Sequence, residues 1–447
     1  MDGSPIGVRA AAIDAQSGRD LLTANEAGEE GPSLSFLHNR GTGSFFPEQR
    51  MGLDAAKYTL QAVATGDFNA DDRDDVAVAV LDISVFPVRD AVLVYLNNGN
   101  GFAAPVTYTL AGLFPQCIEA VDVTGDGALD LVVCHSRSAG GGSVEGLITV
   151  LGGQRTGSVP NGAFQQIYSD VVGTAPAAAA GADIDGDGRA DLLVVDPAEQ
   201  RVLILYGNAG PSHFESPAEL DVVTAPIAAL VDAIPGQPLP QVLVVTASGG
   251  RLLTYKQTAP RAFAAPADQR IALVPTAIAL GPVDDDSVDD LLVLSALGAE
   301  VWYGQTDGTF HFGESLMDDN ALDRLALADL NGDGKLDVAA SASTQDRVTV
   351  VLNGADVPFT PAPTSTITPT PTRTGTPTRG VPACAGDCDG SKTVTINELI
   401  QGVNIALSGS GVENCRAFDL DGDGRVAVNE LVAAVNSAIS SCTGSAS

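Results

Sequence analysis

The chain has 447 residues, 45% of them apolar, which is room for about three ordinary domains with buried cores, so disorder throughout is excluded. Against 56 Asp and Glu stand 23 Lys and Arg, and a formal charge of −33 repels nucleic-acid phosphates and anionic lipid headgroups. Every apolar run, such as LLVVDP or VLILYG, stops within about eight residues, short of the roughly eighteen a membrane helix needs.

In chain order, the first thirty residues carry neither a basic start nor an apolar stretch, so no secretory leader is read in them. Either the protein stays inside the cell or its true start lies upstream. Residues 1–357 then repeat one pattern, a short apolar strand, an Asp-rich loop and a second apolar strand. It reads AVATGDFNADDRDDVAVAV, EAVDVTGDGALDLVVC, AGADIDGDGRADLLVVD, ALGPVDDDSVDDLLVL and LALADLNGDGKLDVAAS. RAAAIDAQSGRDLLTA and IAALVDAIPGQPLPQVLVV keep the strands but have lost most acids, which makes seven copies, with loops opening near residues 14, 67, 122, 183, 232, 282 and 329. Each interval holds a third strand (SLSFLHN, AVLVYLNN, LITVLGG, VLILYG, VTVVLNG) and a Gly-rich turn containing Phe, while segments such as KYTL and ELDVV can supply a fourth strand.

Four short strands about every fifty residues, without helical periodicity, predict a mainly β chain folded as a seven-bladed β-propeller. A calcium-binding parallel β-helix would need tandem nine-residue repeats, which do not occur. The last copy offers three clear strands, and SPIGV near the start is the candidate to lie beside it and close the ring.

The loop pattern DxDxDGxxD suits calcium, a hard cation that takes six to eight oxygens, because alternate residues of a tight loop aim carboxylates at one point. The candidate ligands are Asp183, Asp185, Asp187, the Arg189 carbonyl and Asp191 in one loop, and Asp329, Asn331, Asp333, the Lys335 carbonyl and Asp337 in another. A third loop has Asp122, Thr124, Asp126 and Asp130; a fourth has Asp67, Asn69, Asp71 and Asp75, with Asp72 in place of the turn glycine. The fifth offers Asp284, Asp286 and Asp290 behind Pro282, which cannot supply a first ligand. The two acid-poor loops are expected to hold no calcium.

These loops and Phe-Gly turns resemble the FG-GAP (VCBS-type) repeats of integrin α-subunit propellers and of many secreted bacterial proteins. The resemblance implies calcium on one face of the ring and a protein or glycan partner on the opposite face.

Residues 358–381, a Thr-Pro alternation with two Arg and no acid, form a semi-rigid spacer, bare or O-glycosylated. In residues 382–447 two further loops carry EF-hand spacing. Asp387, Asp389, Ser391, the Thr393 carbonyl and Glu398 fill the first, with Lys392 at the usual glycine; Asp419, Asp421, Asp423, the Arg425 carbonyl and Glu430 fill the second. Each runs into an amphipathic helical segment without a full entering helix, so the pair resembles a type I dockerin, which implies a small α-helical domain and a cohesin-like protein partner. The recognition region of that family falls here on Ile396-Asn397 and Val428-Asn429, which depart from its usual Ser-Thr.

Four of six cysteines, Cys384, Cys388, Cys415 and Cys442, lie in this module, and Cys117 with Cys134 flank a blade loop, where either a cross-strand disulfide or two thiols would fit. The dockerin resemblance implies Cys384 with Cys442 and Cys388 with Cys415, and hence an oxidising compartment. His38, His135, His213 and His311 fall outside any catalytic or metal motif and read as surface or turn residues. No nucleophile or phosphate-loop motif occurs, so a secreted or cell-surface calcium-dependent binding protein is expected, with a carbohydrate-active enzyme and a structural surface-layer component as rivals.

Overall fold

The computed structural model divides into two compact units, Met1–Thr364 and Ser365–Ser447. It describes residues 5–354, apart from 15–17, 27–30, 141–142, 211–212, 223, 272–273, 285, 296–297 and 318–321, and in the second unit residues 387–388, 391, 393–395, 398–401, 405, 415–418, 426 and 434.

The first unit is a seven-bladed β-propeller. Six blades are four-stranded antiparallel sheets and the seventh has three strands among the described residues. The first strands of the blades, Pro5–Ala11, Tyr58–Gly66, Leu113–Val121, Ala178–Ala182, Pro226–Asp232, Pro275–Gly281 and Arg324–Ala328, touch one another in sequence around a ring that returns to its start.

The second strand of each blade is buried on both faces, which explains its unbroken apolar run. In Asp75–Asp82, Val76, Val78 and Val80 point to blade one, while the smaller Ala77 and Ala79 point to blade three. Period-2 alternation thus divides each strand between two interfaces. Seven apolar clusters result, one per interface, and the Phe of the Gly-rich turns plugs them. Phe102 stacks on Phe36 of the preceding blade with centroids 4.9 Å apart, Phe164 meets Phe68 edge-on at 5.3 Å, and Phe214 meets Tyr168 at 5.1 Å.

SPIGV does not complete the last blade. It is the innermost strand of blade one, paired with Asp20–Asn25, and its outer edge is not offered to blade seven. Closure comes instead from packing, with Val8 and Leu21 of blade one against Ala328, Leu330 and Ala339 of blade seven. Asn39 Nδ2 and the Gly43 amide both donate to the Leu330 carbonyl, at 2.5 and 3.0 Å. KYTL likewise is not a fourth strand, since Tyr58 opens the inner strand of blade two, whereas ELDVV does lie in the fourth strand of blade four, Ala218–Asp221. Cys117 and Cys134 are register partners on adjacent strands and form a disulfide with Cα atoms 4.9 Å apart.

In the second unit Cys388 bonds Cys415, and residues 398–401, 405 and 434 have helical backbone. Cys384 and Cys442 lie outside the described residues.

Candidate metal centre

In every blade the loop from first to second strand has one register. Counting from the residue after the first strand, position one is Ala12, Asp67, Asp122, Asp183, Ala233, Pro282 or Asp329, and position nine, which opens the second strand, is Asp20, Asp75, Asp130, Asp191, Gln241, Asp290 or Asp337. The first loop therefore opens at residue 12 rather than 14, and the fifth at 233 rather than 232. Position two is always a buried apolar residue, from Ile13 to Leu330, which pins the loop to the interface.

The position-nine carboxylates turn inward and are almost wholly buried. In Asp75, Oδ2 accepts the Phe68 amide at 3.0 Å and Oδ1 the Asn97 amide at 2.7 Å. Asp130, Asp191, Asp290 and Asp337 repeat this, each tying its loop to the turn after the third strand. Burial pushes these carboxyls up, to about 7 for Asp75 and about 6 for Asp130 and Asp290, against the backbone N–H bonds that favour the charged form.

Positions one, three and five shape the exposed part of the loop. Asp183 accepts the amides of Gly186 and Gly188, Asp185 that of Asp187, and Asp187 that of Arg189, at 2.8–3.0 Å. Asp122 and Asp329 act as Asp183 does, while Asp126 and Asp333 accept from Ala128 and Lys335. Gly188, at φ +85°, permits the turn, and Asp72 takes the same left-handed conformation at φ 65°. Thr124 donates to Asp122 Oδ1, and in the fifth loop Asp284 and Asp286 accept the amides of Asp286 and Val288.

Two observations bear on whether calcium fits. Asp183, Asp185 and Asp187 each offer an oxygen, and these oxygens lie within 4.8 Å of one another; no other Asp-rich calcium loop gathers three carboxylates so closely among the described residues. Asn69 Oδ1, at position three of the second loop, is a buried acceptor that no donor reaches. Both fit a hard cation, which needs oxygen donors without competing protons.

A resident positive charge already leans on the fourth loop. Arg261, on a small hairpin of blade five, places Nε 2.6 Å from Asp185 Oδ2 and Nη1 2.9 Å from Glu215, with its guanidinium over the Tyr206 ring at 4.3 Å. Calcium and this guanidinium compete for one carboxylate, so Arg261→Gln is expected to tighten calcium binding at this loop roughly tenfold, as near-surface Coulomb repulsion predicts. Isothermal titration of the variant against the unaltered chain measures the change.

The amides after the third strands carry no signal in the loop motif, yet they latch neighbouring blades. Asn97 Nδ2 donates to the Ile13 carbonyl at 2.7 Å, Gln257 Nε2 to Ile184 at 2.6 Å, Asn39 to Leu330 and Asn353 to Val283, always at position two of the previous loop. The recurrence of Asn just after the third strand, in LHN, LNN and LNG, is the trace that marks three of them.

Two histidines are not surface residues. His135 is fully buried, with Nδ1 2.9 Å from Asp90 Oδ2 and Nε2 2.7 Å from Thr149 Oγ1. His38 lies between Asp14 and Asp20. His213 sits in a turn and His311 is exposed, as expected.

In the second unit Asp387 Oδ1 accepts the Ser391 amide at 3.0 Å and Ser391 Oγ donates to the Thr393 carbonyl. Glu398 is buried and accepts the amides of Cys388 and Thr395, both at 2.8 Å; with Thr395 it makes a capping box at the helix start. Asp389, Lys392, Asp419, Asp421, Asp423, Arg425 and Glu430 lie outside the described residues, as do both pairs in the expected recognition region.

No family model matches the chain, and no curated protein does. Solved structures do, and they show the fold. The chain is similar to BBS1N in a crystal structure of its complex with ARL6DN, soaked with lead, at 13% identity and TM-score 0.54, covering 80% of this chain and 96% of that one. A structure described as the basis of specific recognition of non-reducing terminal N-acetylglucosamine by an Agrocybe aegerita lectin aligns at 17% identity and TM-score 0.45, over 71% and 81% of the two chains.

Proposed function

We propose that the chain is a calcium-binding recognition protein of the cell surface or extracellular space, an FG-GAP/VCBS-type propeller that holds calcium on one face and a protein or glycan partner on the other. Its C-terminal dockerin-like module would tether it to a cohesin-like partner. The convergence of Asp183, Asp185 and Asp187 carries this reading. Those residues, with the Arg189 carbonyl, would hold one ion, and Asp67, Asn69 and Asp71 or Asp329, Asn331 and Asp333 others.

The face away from the Asp-rich loops supports the recognition half. There the turn between second and third strands of blade two exposes Ile83, Val85 and a wholly exposed Phe86, with Phe114 and Val274 on neighbouring turns of the same face. Exposed apolar groups of this size mark binding surfaces. The similar fold of BBS1N, solved in complex with ARL6DN, offers a precedent for a protein partner.

Calcium stoichiometry tests the metal half. Asp187→Ala and Asp333→Ala should each remove one bound calcium, whereas Asp286→Ala, in the loop opened by Pro282, should remove none; equal and negligible effects from all three would mean the loops are only turns. Glycan and protein arrays probed with the full chain in millimolar calcium test the other half, with binding expected to be lost in Phe86→Ser.

A further inference from the structure

The first loop, acid-poor and expected to hold no calcium, keeps two carboxylates, and the fold brings a histidine between them. His38 Nδ1 lies 3.2 Å from Asp14 Oδ2 and 3.4 Å from Asp20 Oδ2. One donor atom from each of the three residues falls within 4.8 Å of the others. His38 Nδ1 is buried from solvent and makes no hydrogen bond, although two carboxylates flank it. An imidazole N–H would turn toward one of them. A lone pair facing the same point as two carboxylates is the arrangement of a metal ligand. Two donors about 2.1 Å from one ion at a tetrahedral angle sit about 3.4 Å apart, close to the distances seen.

The surroundings hold this geometry in place. Asp20 is anchored by the Asn39 amide on Oδ1 at 2.7 Å and by the Asp14 amide on Oδ2 at 3.1 Å. The nearby Arg19 is turned away and paired with Asp74 at 2.8 Å, so its charge does not occupy the site. Beside the cluster is a cavity of about 330 Å³ lined by Asp14 and His38, the stacked Phe36 and Phe102, and the amides of Asn97 and Asn100.

We propose that Asp14, Asp20 and His38 bind a divalent transition metal of the zinc class, at a site separate from the calcium loops. Calcium takes oxygen ligands, whereas one imidazole with two carboxylates suits zinc and its neighbours. Three protein ligands leave a fourth position for water or a small coordinating ligand from the cavity, the pattern of an open rather than a closed zinc site.

The test uses the full chain, disulfides intact, in millimolar calcium. Equilibrium dialysis should find a zinc equivalent that is lost in His38→Gln and weakened at least tenfold in Asp14→Asn, and cobalt in its place should give a visible absorption band absent from His38→Gln. Asp187→Ala should keep the zinc, so failure of the calcium reading and failure of this one are distinguishable. If His38→Gln does not melt cooperatively, Asp14→Asn carries the comparison. Zinc uptake equal in all variants, or no uptake together with a lowered melting temperature in His38→Gln, would overturn the proposal and leave an imidazole–carboxylate ion pair.

Discussion

Asp290→Ala is expected to destabilise the propeller by about 3 kcal/mol or more, and by the same amount with and without calcium. Asp290 is fully buried, and its two oxygens serve three backbone N–H groups, those of Val283 and Asp284 on Oδ2 at 2.9 and 3.2 Å and that of Gly304 on Oδ1 at 2.9 Å. Alanine removes every one of these acceptors, and each buried donor left unpaired costs about 1–3 kcal/mol. This loop is the right place for the measurement because Pro282 stands where a first calcium ligand would be, so the staple is separated from the metal. Asp290→Asn keeps one acceptor oxygen and should fall between. Urea unfolding followed by tryptophan fluorescence reports the change, since Trp302 lies in the same blade. A loss below 1 kcal/mol, or one that appears only in calcium, would show that position nine serves the metal rather than the fold.

The repeat and the blade count were legible because the Asp-Gly loops recur between apolar strands, and a turn that must hold itself together by side chain to backbone bonds cannot vary freely. Two loop openings were misplaced because Asp14 and Asp232 look like first ligands. Asp14 is in fact a position-three residue, and Asp232 ends its strand, accepting from Gln241 at 2.7 Å. The inward turn of position nine was not legible, because aspartate is written the same way whether it faces a metal or a buried amide. Ring closure was misjudged for a similar reason. Period-2 patterning tells which residues of SPIGV are apolar but not which neighbouring strand they face, and the structure spends them on the wall between blades seven and one. His38 and Asp14 are 24 positions apart and meet only because the turn after the third strand lies at the same end of the blade as the Asp-rich loop.

The propeller freed of calcium should melt at a higher temperature at pH 5 than at pH 8, and millimolar calcium should close that gap by raising the value at pH 8 by several degrees. Asp75, pushed up to about 7, and Asp130 and Asp290, pushed to about 6 by burial, hold protons in the folded chain that they release in the unfolded one, where aspartate titrates near 3.9. A folded-state pKa raised this way contributes stability that is complete below about pH 4 and is lost as the pH climbs through 6 and 7. Self-repulsion of a chain carrying −33 acts in the same direction. Calcium reverses the balance, because its carboxylate ligands must be ionised and its affinity therefore grows with pH. Each site occupied at a hundredfold excess over its Kd adds about 2.7 kcal/mol. Calorimetric scans at the two pH values, in EDTA and in calcium, give four melting temperatures. Equal values in EDTA and calcium at pH 8 would remove the ion from the loops, whereas a lower value at pH 5 than at pH 8 in EDTA would mean that the buried position-nine carboxyls are ionised throughout and stabilised by their backbone amides alone.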